Sequence, residues 1–226
     1  MAAFQGFPSE TMQFLRELSA HNEKSWFDAH RADYERYWLE PAKELVGAAG
    51  SALTTIAPVN YEAKVNGSIF RINRDIRFSA DKRPYKDHLD FWFWEGERKG
   101  APSGFFFRIT PGAMGIGVGA HGFDKDRLAR YRAALLDAGK AAALEQAVSA
   151  VEANGYQVHG EHYKRVPRGL EVSGEFAERM VRYAALWCGA DTPVGELLHG
   201  PELVPHLIGE WRKQLPIHRW LVDELG

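Results

Sequence analysis

A chain of 226 residues can build one sizeable core or two small ones, and 45% hydrophobic with 26% charged residues is the balance of a folded globular protein. A formal net charge of −2 excludes a global field for holding DNA or an anionic membrane, so any such partner would need a local patch. The single cysteine, Cys188, excludes an intrachain disulfide framework, and no apolar run approaches the roughly 18 residues of a membrane span. The opening M-A-A-F-Q-G-F-P lacks the charged and apolar regions of a signal peptide, so the expected location is cytoplasmic.

Ser9, behind Pro8, predicts the N-cap of a short amphipathic helix carrying Met12, Phe14, Leu15 and Leu18. A second helix is expected over residues 23–39, burying Trp26, Phe27, His30, Tyr34, Tyr37 and Trp38. Pro41 suits the first turn of a third, reaching about residue 56. From Tyr61 the apolar period shortens to two. Over residues 70–79 the even positions (Phe70, Ile72, Arg74, Ile76, Phe78) are apolar but for Arg74, and the odd ones are polar. That alternation predicts a strand with Phe70 and Ile72 in the core and Arg71, Asn73 and Asp75 on the other face. Three more strands follow at 88–94, 104–110 and 114–120, antiparallel because their connections are short. In the last of them Gly115, Gly117 and Gly119 leave one face bare, with room for a packed helix or a ligand.

Asp124 is placed to cap a helix bearing Leu128, Tyr131, Leu135 and Ala138. Another carries Leu144, Val148 and Val151 and stops at Asn154-Gly155. Residues 156–166 read as extended or loop. Helices are expected at 173–187, 201–214 and 216–225, with Thr192-Pro193 opening a turn between the first two. No repeat or linker marks a boundary, so the expectation is a single α+β domain over residues 1–226. Its antiparallel sheet of about four strands, roughly residues 61–120, is flanked by N-terminal and C-terminal helices.

The densest chemistry lies in residues 71–88, R-I-N-R-D-I-R-F-S-A-D-K-R-P-Y-K-D-H. Six cations (Arg71, Arg74, Arg77, Lys82, Arg83, Lys86) face three acids (Asp75, Asp81, Asp87), a local balance of +3. Guanidinium forks match phosphate and carboxylate oxygens. On one strand face, Arg71, Asn73 and Arg77 would form a row with steps of about 6–7 Å. The candidate ligand-binding set is therefore Arg71, Asn73, Arg77, Lys82 and Lys86, against Gly115, Gly117 and Gly119. If a reaction occurs there, Asp75 and Asp81 are the candidate bases, Tyr85 and His88 the candidate proton donors, and Lys86 an electrostatic stabiliser. Each also has a structural role open to it: Asp75 can pair with Arg71 or Arg77, Asp81-Lys82-Arg83-Pro84 reads as a turn, and Tyr85 can lie across an apolar face. Arg74, among apolar neighbours, calls for a carboxylate partner such as Asp75, Asp81 or Glu35.

Other patterns carry less. Residues 117–122 fit G-x-G-x-x-G, but helix follows helix where a dinucleotide site needs a βαβ unit, and Asp124 and Asp126 would repel a pyrophosphate. His159 and His162 would point to opposite faces of a strand, and Cys188 has no second thiol, so neither a metal nor a cofactor is expected. Cys188 is also placed near a helix C-terminus, where the dipole disfavours a thiolate.

The stretch R-I-N-R-D-I-R-F-S-A-D-K-R-P-Y-K resembles the signature of a conserved-hypothetical family, domain-of-unknown-function family 2461. N-E-K-S-W-F-D-A-H-R-A-D-Y (residues 22–34), the glycine strand and K-R-V-P-R-G (164–169) are similar to its other landmarks. The likeness covers about residues 7–169 and loosens over the last fifty or so. It implies a cytoplasmic domain and carries no reaction, substrate or cofactor with it. Three functions fit the charged stretch: binding or turnover of a small anionic ligand, the leading one, with phosphorylated ligands in view; a nucleic-acid module stacking bases on Trp92 or Trp94; and a protein-interaction domain in which the stretch is a structural ion network.

Overall fold

The computed structural model describes residues 4–77 and 79–226; Phe78, expected on the apolar face of a strand, lies outside them. Helix α1 (Ser9–Ala20) buries Met12, Phe14, Leu15 and Leu18 as its periodicity predicts. Its N-cap is Pro8 rather than Ser9, whose hydroxyl turns to the Glu10 carboxylate at 3.1 Å. The expected second helix is broken into α2 (Lys24–Ala29), α3 (Arg31–Asp33) and a π-helical stretch, Tyr34–Leu39, that runs into α4 (Glu40–Leu53). Pro41 accounts for the wide turn. It lacks the N–H that would reach the Tyr37 carbonyl, and its ring crowds that oxygen. The buried Thr11 hydroxyl, from α1, donates to the Tyr37 carbonyl instead. Of the expected aromatic stripe, Phe27, Tyr34 and Trp38 are buried, while Trp26, His30 and Tyr37 stay half-exposed.

Among the described residues the antiparallel sheet has six strands, not about four. They are β1 (Val59–Asn60), β2 (Leu89–Glu95), β3 (Gly104–Ile109), β4 (Ala113–Ala120), β5 (Gln157–Glu161) and β6 (Tyr183–Pro193), in the order β1-β2-β3-β4-β6-β5. The strand expected from Phe70 onward is not formed, while β1, β5 and β6 join the three strands that were expected. Residues 70–77 lie in no strand; among the described residues they are flanked and joined by isolated bridges, Ile69 facing Phe91 and Asn73 facing Tyr85. Beyond Ile72, Asp75 and Asp81 take the backbone N–H groups of Arg77 and Arg83 on their side chains, and these local closures turn the chain away from a ladder. Ile72 is buried as expected; Phe70 is 36% exposed, with the Lys86 ammonium 5.1 Å from its ring centre. The helix expected over residues 173–187 is formed only in part. Only α7 (Glu175–Met180) is helical, and Y-A-A-L-W-C runs on as β6, its register fixed by Val158 opposite Cys188 and His159 opposite Trp187.

Between them, α5 (Lys125–Leu136) is capped by Asp124, which accepts from Arg127 N at 2.8 Å, and α6 (Ala138–Glu152) is followed by Gly155 at φ +85°. The two expected C-terminal helices are one, α8 (Leu203–Leu225), with Pro216 inside it. Burial of Trp211, Leu215, Ile217 and Leu221 around that proline outweighs the roughly 3 kcal/mol it costs a helix interior. Among the described residues no helix is long and apolar enough to cross a membrane.

The chain gathers into two compact units. The first holds the residues up to Phe93 with Phe106–Ile116 and Asp191–Gly209; the second holds Trp94–Phe105, Gly117–Ala190 and Glu210–Gly226. In the first, Phe91 lies between Phe7 and Phe107, ring centres 6.3 and 5.7 Å away. In the second, Phe105 meets Trp211 and His218 at 5.9 and 4.5 Å. Cys188 lies in β6 and not at a helix end; burial pushes its thiol up to about 12, which keeps it protonated and unreactive.

Candidate functional site

Residues 71–88 fold in the first unit as an irregular loop held at both ends. At its base, Arg74 N donates to the Pro84 carbonyl at 2.9 Å and Lys86 N to Ile72 at 2.8 Å, so Asn73 and Tyr85 sit opposite one another. Asn22 clamps the same place: its side chain accepts from Tyr85 N at 2.9 Å and donates to Tyr85 O at 3.0 Å. The Tyr85 ring is buried and stacks on Phe27 at 4.3 Å. Two separated sequence stretches, N-E-K-S-W-F and K-R-P-Y-K, are thus one structural joint.

Within the loop every acid holds more than one donor. Asp75 takes Arg77 through Nε at 2.9 Å and a terminal nitrogen at 2.6 Å; these bonds, with the Arg77 backbone N–H, hold its carboxyl far below the usual range. Asp81 accepts from Arg83 Nε at 3.0 Å and also pairs with Arg74, and is lowered for the same reason, Arg83 first. Arg74 therefore has the partner expected of it, at intermediate burial. Lys82 caps the loop by donating to the Ile76 carbonyl at 2.9 Å.

Beside the loop, the β2 residue Asp90 is the hub. Arg108 Nε reaches it at 2.5 Å, His88 Nε2 at 3.3 Å and Lys86 Nζ at 3.6 Å. Burial pushes the Asp90 carboxyl up, but hydrogen bonds from His88 and Arg108 outweigh it and hold the group at about 2. The other imidazole nitrogen of His88 lies 3.2 Å from Asp87, so both ring nitrogens face carboxylates. Burial lowers the Lys86 ammonium, and Asp90 only partly offsets this.

A recess of ≈ 350 Å³ opens here, lined by Arg74, Asp75, Arg83, Lys86, Asp87 and His88. Of the residues singled out in the sequence it gathers Asp75, Lys86 and His88. Arg71, Asn73 and Arg77 are exposed outside its lining, Asp81 lies behind it joining Arg74 to Arg83, and Tyr85 is packed into the core. The glycines do other work. A Cβ at Gly115 would meet Asp191 Oδ1 at 2.7 Å, at Gly117 the Cys188 carbonyl at 3.0 Å, and at Gly119 the Leu186 carbonyl at 2.3 Å. They let β4 and β6 approach closely. Arg83 and Asp87 line the recess without belonging to the candidate set, and Asp90 and Arg108 lie outside the charged stretch of the sequence. The signal for Asp90 was an acid inside the aromatic strand L-D-F-W-F-W, where only a paired charge is tolerated.

Fold and site together define an α+β protein with an ion-paired basic loop seated against an antiparallel sheet. A model of the family described as conserved hypothetical protein (DUF2461) matches residues 10–220, and the chain belongs to that family. A comparison with curated proteins gave no match.

Proposed function

We propose that the recess at Arg74, Arg83 and Lys86 binds a small anionic ligand through phosphate or carboxylate oxygens. The observation that carries this is a surplus of cations around shared carboxylates. Seven cations (Arg71, Arg74, Arg77, Lys82, Arg83, Lys86, Arg108) face four acids (Asp75, Asp81, Asp87, Asp90), a local charge of +3. Asp81 serves two guanidinium groups at once, and among the described residues Arg71 and Lys82 make no close ion pair, Arg71 acting on Asp75 only at longer range. An anion in the recess would relieve that repulsion and compensate the half-buried Lys86. At an effective dielectric near the surface, each close charge pair contributes about 4 kcal/mol before desolvation, so two or three suffice for useful affinity. The volume suits a small ligand. A base-stacking role has less support, since Trp94 is only 4% exposed and the half-exposed Trp92 already stacks on Phe106, ring centres 6.3 Å apart.

Isothermal titration of the purified protein with inorganic phosphate, pyrophosphate, nucleotides and sugar phosphates tests the proposal. At least one is expected to bind, and Arg83→Ala and Lys86→Ala are each expected to weaken it about tenfold or more. Absence of binding across the series, or equal affinity in both variants, would leave the loop a purely structural ion network.

A further inference from the structure

The second unit carries two neighbouring patches of opposite charge, each built around an exposed apolar side chain. One is a groove of ≈ 570 Å³ where the end of α5 and the start of α6 face residues 171–177. Leu136, Ala141 and Phe176 give it apolar walls, its charged residues are Glu145, Glu171 and Glu175, and no described lysine or arginine lines it. Leu136 is 51% exposed there. The other patch is the loop K-R-V-P-R at 164–168, with Val166 37% exposed between Arg165 and Pro167. This loop borders a recess of ≈ 420 Å³ that also includes Glu175, so the patches adjoin. Lys164 and Arg165 have no ion pair among the described residues, whereas Arg179 and Arg182 on the same recess already face Glu152 at 3.8 Å and Glu161 at 3.1 Å.

Glutamates gathered in one groove and uncompensated cations in the adjoining loop are each drawn to a surface of the opposite sign. The segment that fits the acidic groove must bring an apolar side chain flanked by cations. The 164–168 loop of another copy is such a segment. Because groove and loop adjoin on one surface, a two-fold axis would set each against its complement in the partner at the same time, the self-matching arrangement of an isologous dimer. We propose that the chain self-associates in this way, with Val166 of each copy seated beside Leu136 of the other and Lys164 and Arg165 facing Glu145 and Glu171. Neither patch includes any residue of the anion-binding recess.

Sedimentation velocity on the full chain, over a series of protein concentrations at low and high salt, reads this out. A concentration-dependent dimer weakened by salt is expected. Arg165→Glu and Glu171→Arg are each expected to raise the dimer dissociation constant about tenfold or more. The double variant exchanges the two charges within each chain and is expected to restore wild-type association, a recovery that misfolding could not produce. All these side chains are exposed, so thermal unfolding serves as the folding control. A wild type that stays monomeric throughout, single reversals without effect, or a double variant no better than the singles would overturn the proposal.

Discussion

Asp90 shows how much one side chain organises. It is 12% exposed and holds three potential cations; removing its charge takes from the part-buried Lys86 its carboxylate, while His88 keeps Asp87 and the half-exposed Arg108 turns to water. Asp90→Asn is expected to cost on the order of 2–4 kcal/mol at neutral pH, read as a shift in the urea midpoint at unchanged slope. The pH dependence has a definite sign. The folded carboxyl sits at about 2, below its ordinary value near 4, so the unfolded chain takes up the proton first. Its contribution is complete above pH ~4 and declines by roughly 2 kcal/mol as the pH falls toward 2; the Asn variant is expected to lack that part of the acid limb. Arg74 is a milder case. It stands among apolar neighbours in the sequence, but its side chain is 24% exposed and that of its partner Asp81 38%. Arg74→Ala is therefore expected to cost only about 1 kcal/mol, and a loss of three or more would mean that the loop collapses with it.

At the scale of elements, the π-helical stretch and the β4–β6 contact are each made by one small group. The Tyr37 carbonyl loses its helical donor to Pro41 and recovers one from Thr11. Thr11→Val keeps the shape and deletes the donor, so the part-buried carbonyl loses this bond at an expected cost of about 1 kcal/mol. Pro41→Ala in the same background returns an N–H and is expected to recover part of the loss; thermal unfolding of the single and double variants measures the coupling. In β4, Gly119 combines φ +132° with a 2.3 Å approach of its would-be Cβ to the Leu186 carbonyl. Gly119→Ala is expected to destabilise by on the order of 2 kcal/mol or more, because both conformation and contact oppose it.

Over the whole molecule, a second pH window comes from the buried His218 in the second unit. Its Nε2 lies 2.9 Å from Glu95, which can only accept, so the proton is on Nε2 and Nδ1 accepts from the Ser103 hydroxyl at 2.9 Å. Burial lowers the imidazole below its ordinary value, with Glu95 opposing in part. The unfolded chain therefore binds the proton more readily, and stability is expected to fall as the pH drops below about 6.5. His218→Gln is expected to be less stable at pH 8 yet flatter between pH 8 and 5. An unchanged slope in a denaturation series over that range would place the titration elsewhere.

Helices α1, α5 and α6, the strands β2 to β4, the Asp124 cap and the stop at Gly155 were legible in the sequence, because each depends on residues within a few positions of one another. The concentration of ion pairs in residues 71–88 was legible for the same reason. The strand β6 was not. Its alanines and leucine carry a local helix preference, and only pairing with β5 and β4, at distant places in the chain, makes them extended. Nor could the glycines of β4 be assigned, since a missing side chain serves a ligand or a neighbouring strand equally well until the neighbour is known. Asp90 and Arg108 joined the site in the same way, through strand pairing that no spacing in the sequence encodes. The sequence by itself determined which segments are helical or extended wherever near neighbours decide the matter, and where the charge collects. Tertiary structure alone decided which charges meet, because desolvation and Coulomb energy depend on distance in space and not along the chain.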